Sequence, residues 1–394
     1  MFPRPLYFTH VTVLSETGPI GHSLRVKGRR VAAIDTPPEK RDVVIDGQGG
    51  LLIPGLINAH DHLELNTFKR LKYRETYTHS LQWIEDIEAR FETDPDLIEP
   101  RQQPLADRLF IGALKNLLSG VTTVCHHNPL HRPLRFRYPI RVVRNYGFCH
   151  SLFRGDDPAA SYRQTRPADP WIIHLAEGID ETAGQEFDRL EQLGLVQPNT
   201  VLVHGVGLTA QQRRSLIERG GGLIWCPGSN HFMFGQTAHV AELAAAGRLA
   251  LGSDSRLSGE FDLLAELRVA SNTNQLSPQA LFRTVTVDAA RLLHLSQSGA
   301  GRLEVGGTAD LVLLPPTDGD PFASLGRLTR AQVGLVLLAG QPLVGAEALR
   351  PAFDAAKVAW RRVSVDGVSK LMSRGLIKRL QRSRVGEPGL VVLS

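Results

Sequence analysis

Six residues of this sequence have types and placements that could hold a cation and move protons: His60, His62, His174, Glu177, His204 and Asp254. The first two flank Asp61 at the end of LLIPGLINAHDHLE (51–64), an apolar run in which residues i and i+2 of a strand face the same way, so two imidazoles emerge side by side. Neutral imidazole is the commonest metal ligand, which makes the pair half of a candidate site for zinc or a related ion. Alone it is weak, because the chain has fourteen histidines. His174 and Glu177 end WIIHLAEG, His204 ends VLVH, and Asp254 stands in LGSDS. Each follows an apolar run that would bury it. Buried imidazoles and carboxylates are costly unless paired or coordinated, so several at successive strand ends point to a shared cation. Taken singly, His174 and His204 read equally well as hydrogen-bonded core histidines, Asp254 as a turn cap and Glu177 as a first-turn helix acid.

The elements that must position these groups alternate. Strand ends are expected at Ile57–His62, Val121–His127, Phe148–Phe153, Trp171–Glu177, Val201–His204, Leu223–Cys226 and Leu249–Asp254. Helices fit between and after them at Leu81–Phe91, Ala106–Leu118, Ile140–Asn145, Glu181–Leu193, Ala210–Arg219, Ala238–Ala246, Asp262–Ala270 and Pro278–Leu293. This is the pattern of βα units in a parallel sheet or barrel, whose C-terminal strand ends share one mouth. Seven strands are counted, and an eighth would have to come from DDPAASYRQTRPADP, between Phe153 and Trp171. Residues 1–50 and the runs near 310–314 and 333–344 show short alternating apolar segments broken by Gly and Pro. Two distant β-rich ends suggest one discontinuous small domain. The divisions expected are 1–53 with 301–350 for that domain, 54–300 for the central body and 351–394 for a basic extension.

Composition is that of a globular protein, with 42% hydrophobic and 22% charged residues, and no apolar run approaches the ~20 residues of a membrane span. The net charge of +5 is concentrated at the end: residues 351–394 carry nine Lys or Arg against three acids, which leaves −1 for the rest. Such a tail can bind nucleic acid, but it reads first as a solvated or subunit-contacting helix, so a small-molecule partner and room for a homo-oligomer are expected, without nucleic acid or membrane. Three widely spaced cysteines and an N-terminus without signal-peptide features fit a reducing, cytoplasmic setting.

Seven strings carry a family resemblance: PGLINAHDHL (54–63), SGVTTV (119–124), HLAEG (174–178), VLVHGVGLT (201–209), WCPGSN (225–230), LGSDS (251–255) and VDAARLLHL with GRLEVGGTADLVLL (287–314). In this order they resemble the amidohydrolase superfamily, in the branch holding guanine, cytosine and adenosyl-type deaminases together with triazine chlorohydrolases. The resemblance implies an α/β, TIM-barrel-like (β/α)8 metal-dependent hydrolase barrel, here with one βα unit reduced, and a small discontinuous β-sandwich domain from both termini. It implies one divalent ion, zinc first and iron, manganese or nickel as alternatives, held by His60, His62, His174 and Asp254. His204 would lie beside the ion's water, and Glu177 would be the proton shuttle. A bound divalent ion brings the pKa of its water toward neutrality, Asp254 can accept that proton, and Glu177 can pass one to a ring nitrogen.

Hydrolytic deamination of a small heterocyclic or amidine-like substrate is therefore the first expectation. Cyclic-amide hydrolysis or dechlorination at the same site is the second, and an inactive or nucleic-acid-associated scaffold using the basic tail is the third. Position alone nominates His127, Arg154, Asn230 and Arg256 as substrate-binding residues, the arginines as bidentate partners for an anion. Two departures from the deaminases bear on the substrate: HDHLELN replaces the usual HTHL, and glycine stands at 178 where Thr is frequent.

Overall fold

The computed structural model describes residues 3–153, 155 and 157–393. Eight short parallel strands surround the centre: β1 (Leu56–Asp61), β2 (Val121–His126), β3 (Arg141–Val142), β4 (Gly147–Cys149), β5 (Trp171–Leu175), β6 (Thr200–His204), β7 (Gly222–Trp225) and β8 (Leu249–Leu251). They form two arcs, β1-β2-β3 and β4-β5-β6-β7-β8. At one seam the Asp254 amide donates to the His60 carbonyl at 3.1 Å. Gly252 is required there, because a Cβ would lie 2.6 Å from the Cβ of His60. Strands such as Trp171–Leu175 and Thr200–His204 are buried throughout, which explains their unbroken apolar character.

The eighth strand is not where the sequence reading sought it. Residues 158–164 between Phe153 and Trp171 form a helix, while Ile140–Asn145, expected as a helix, contains β3. The run Ile-Arg-Val-Val is rich in β-branched residues, which lose rotamer freedom in a helix and pack well on a sheet. Only four residues separate β3 from β4, so this unit lacks its helix. The expected helix Pro278–Leu293 is two, Pro278–Thr284 and Val287–Leu292.

An eleven-stranded sheet is built from both ends of the chain. Val43–Pro54 lies at its centre, parallel to Leu6–Ser15 on one side and antiparallel to Leu311–Leu314 on the other. The strands form one continuous ladder rather than two separate sheets, closed over a core that includes Phe8, Leu24, Leu52, Leu337 and Phe353. The basic tail is not a free helix. Trp360–Val365, Val368–Ser373 and Leu390–Val392 add to the same sheet, with the helix Arg374–Leu380 between them. No helix among the described residues is long and apolar enough to cross a membrane.

Candidate metal centre

Buried imidazoles crowd the C-terminal mouth of the barrel. His60 and His62 leave the end of β1 on the same face, with ring centroids 4.9 Å apart. Asp61 points the other way into a buried network, accepting from Asn116 Nδ2 at 2.8 Å and pairing with Lys115 Nζ at 3.3 Å. His174 Nε2 lies 3.3 Å from His60 Nε2, and Asp254 Oδ1 lies 3.8 and 3.7 Å from the Nε2 atoms of His60 and His62. Donors bound to one ion at ~2.0–2.1 Å in a tetrahedron stand roughly 3.4 Å apart, so this spacing and the nitrogen and oxygen donor set fit a divalent transition ion. His60, His62 and Asp254 form one group within metal-ligand reach, and His60, His127 and His174 another.

The protonation states suit the same purpose. Burial, reinforced by neighbouring imidazoles, holds His60 and His174 well below the ordinary histidine range, so both present lone pairs at neutral pH. Burial would raise the Asp254 carboxyl. His62, His204 and the hydroxyls of Ser258 and Ser229 outweigh it and keep the carboxylate ionised below its usual range. Asp254 Oδ2 accepts from those hydroxyls at 2.7 and 2.9 Å, leaving Oδ1 turned to the imidazoles. Glu177 moves the opposite way, because burial raises its pKa despite the attraction of His204. Its Oε1 is 3.3 Å from His204 Nε2, and the Ser80 hydroxyl also hydrogen-bonds it.

Two of these residues have strained backbones. His204 (φ 74°) and Asp254 (φ 50°) are left-handed, a conformation that costs a non-glycine residue on the order of 1–3 kcal/mol and clusters at functional sites.

A cavity of about 160 Å³ opens above the cluster. His62, His174, Glu177, His204 and Asp254 form its floor, Leu65, Trp83, Ile84 and Met233 an apolar wall, and Asn128, Ser80 and His150 a polar one. Ser80, Trp83 and Ile84 come from the helix Ser80–Glu88, where the sequence pattern predicts a helix over Leu81–Phe91. Their only signal was position in the long connection after β1.

Three residues expected at the substrate lie elsewhere. Asn230 is fully buried behind His204, its Oδ1 accepting from Nδ1 at 2.9 Å, so it orients that ring. Arg256 turns away and is held by Glu387 through bonds of 3.0 and 2.6 Å, which leaves its guanidinium no fork for a substrate anion. His127 is buried beneath His174 with ring centroids 4.2 Å apart. Arg154 lies outside the described residues.

Residues 170–353 match the amidohydrolase family model. The chain is 23% identical to 5-methylthioadenosine/S-adenosylhomocysteine deaminase 2 of Archaeoglobus fulgidus, over 75% of this chain and 82% of that one. Its fold resembles an adenosine deaminase from Xanthomonas campestris solved with bound zinc (TM-score 0.70, 20% identity, 90% of this chain and 98% of that one). It also resembles an atrazine chlorohydrolase from Arthrobacter aurescens TC1 complexed with zinc (TM-score 0.67, 18% identity, 89% and 99%). An eight-stranded barrel, a histidine and carboxylate cluster fit for a divalent ion at its mouth, and these matches together show that residues 170–353 carry an amidohydrolase family domain.

Proposed function

We propose that the protein is a zinc-dependent deaminase that hydrolyses the exocyclic C–N bond of a small heterocyclic or amidine-like substrate, with His60, His62, His174 and Asp254 holding the ion. A divalent cation in that position supplies Lewis-acid activation of water at neutral pH. The single observation that carries the choice of deamination is the buried carboxyl of Glu177, kept protonated to higher pH than usual beside the cluster. Asp254 Oδ1 accepts the proton given up by the attacking water. The water oxygen bonds to the ring carbon as Glu177 protonates the adjacent ring nitrogen, and return of protons to the amine releases ammonia. His204, its Nδ1 proton held by Asn230, turns Nε2 toward Glu177 and the reacting oxygen. Trp83, fixed by its Nε1 bond to the Leu71 carbonyl at 2.9 Å, gives a planar ring a face to stack on.

The relatives' deaminase activities on adenosine-type compounds support this reading, as does a cavity wall that offers apolar surface to one side of a flat ring. Dechlorination at the same site has less use for a proton donor of this kind. The odd, widely spaced set of three cysteines supports a cytoplasmic location.

Ammonia release from a panel of purines, pyrimidines, pterins and guanidino compounds, before and after chelator treatment, tests the proposal. Activity should vanish with the metal and return with zinc. Glu177→Gln should lower kcat by about 10²–10⁴ with little change in KM. A variant retaining full deaminase activity would remove Glu177 from the mechanism.

A further inference from the structure

His127, at the end of β2, has the same local wiring as His174. His174 donates from Nδ1 to the His150 carbonyl at 2.8 Å, which fixes the tautomer and leaves Nε2 bare toward His60. In His127 the roles of the nitrogens are exchanged. Its Nε2 meets the Cys149 carbonyl at 3.2 Å and must carry the proton, so Nδ1 holds the lone pair. That Nδ1 is buried and has no hydrogen-bond partner among the described residues. A buried polar atom without a partner costs about 1–3 kcal/mol. The ring is 1% exposed, and His127 belongs to the group within metal-ligand reach together with His60 and His174. A backbone carbonyl on one imidazole nitrogen with a bare lone pair on the other is how proteins hold histidine ligands.

We propose that His127 Nδ1 is a direct donor to the cation, giving the centre five protein ligands: His60, His62, His127, His174 and Asp254. The inference rests on the metal-site reading above but adds a residue that the family pattern of His60, His62, His174 and Asp254 does not include. A fourth imidazole enriches the set in nitrogen and raises the coordination number, which suits zinc, cobalt, nickel or ferrous iron and disfavours magnesium and calcium. It also explains why a histidine lies buried beneath the centre rather than on the cavity wall: its contact is with the ion, not the substrate.

The test uses the full chain stripped with a chelator and reloaded with cobalt(II), whose visible spectrum reports coordination number independently of turnover. The wild type should take up one cobalt per chain and show the weakest bands, those of a six-coordinate ion with five protein donors and the water. His127→Asn should bind cobalt at least 10-fold more weakly and shift to the stronger bands of a five-coordinate ion. X-ray absorption of the zinc-loaded wild type should count four imidazoles, a measurement that decides the matter even when the variant fails to fold. An unchanged cobalt spectrum and affinity in the variant, a count of three imidazoles, or two ions per chain would overturn the proposal and leave metal binding to stand on the other ligands. Failure of the wild type to take up any metal would overturn both.

Discussion

Around the centre, several imidazoles have one nitrogen engaged by a fixed acceptor: the His150 carbonyl for His174, the Cys149 carbonyl for His127 and the Asn230 amide oxygen for His204. None of these partners is legible as such. The ligand candidates could be found because an apolar strand ending in His or Asp is a local pattern, whereas a carbonyl twenty-odd residues away is not. Asn230 and Arg256 show the same limit, since one follows the end of β7 and the other stands two residues after Asp254, yet each uses its polar atoms to hold something else. Glu266 went unread for the opposite reason. It occupies an ordinary helical position but is fully buried, accepts from the Gly228 amide at 2.6 Å, and burial pushes its pKa up to about 8. A carboxyl raised in the folded state contributes stability that is complete below its unfolded value near 4.5 and is lost as pH rises toward 8. Each pH unit in that window should cost up to about 1.4 kcal/mol. Thermal melts of Glu266→Gln should be flatter than wild type between those limits, and parallel curves would contradict the assignment.

Among the elements, the helix Ser80–Glu88 and the turn after β5 depend on one glycine. Gly178 faces the chain just before the helix, with Ser80 N donating to the Glu177 carbonyl at 2.9 Å and Ile179 N to the Thr78 carbonyl at 2.7 Å. A Cβ at 178 would sit 2.6 Å from the Thr78 oxygen and 3.0 Å from His79 Cα. The glycine noted as a departure from the deaminases is thus what lets Ser80 reach Glu177 and Trp83 reach the cavity. His79 secures the other side of the junction through a buried bond of 2.9 Å to Glu186. Gly178→Thr should destabilise the protein by about 1–3 kcal/mol through overpacking. It should lower kcat while metal content stays at the wild-type level, which kinetics and metal analysis on one preparation would show. Long, periodic elements were readable, as Leu105–Leu118 and Glu181–Gln192 illustrate. The two-residue β3 was not, because a segment so short is defined by its neighbours: Thr123 and Val124 supply its ladder.

For the molecule as a whole, alternation of strand and helix gave the barrel, but nothing local revealed how its parts are tied. Asp310 binds Arg141 of β3 through bonds of 2.7 and 3.1 Å while accepting from Gly55 and Ala339 amides, joining the barrel base to the large sheet. At the opposite pole Glu387 sits fully buried between Arg256 and Arg330, with both guanidiniums packed on Phe261. Arg330 is held in addition by Asp366. A charge count that sees only nine basic residues in the tail misses that this tail's one buried acid is what the body needs. Removing one partner of a buried ion cluster costs about 3–5 kcal/mol, so Glu387→Gln should lower the melting temperature by more than any exposed change in the tail. A melting temperature equal to wild type would mean that the contact is energetically idle.

That clamp has a temporal side. Arg256 stands two residues after Asp254, and among the described residues its charge is matched by one 131 positions further along. At a synthesis rate of ~5–20 residues per second, roughly 7–26 seconds separate the two partners of this pair. The rim beside Asp254 therefore matures after the barrel strands themselves, once the segment carrying Glu387 has been made and has docked.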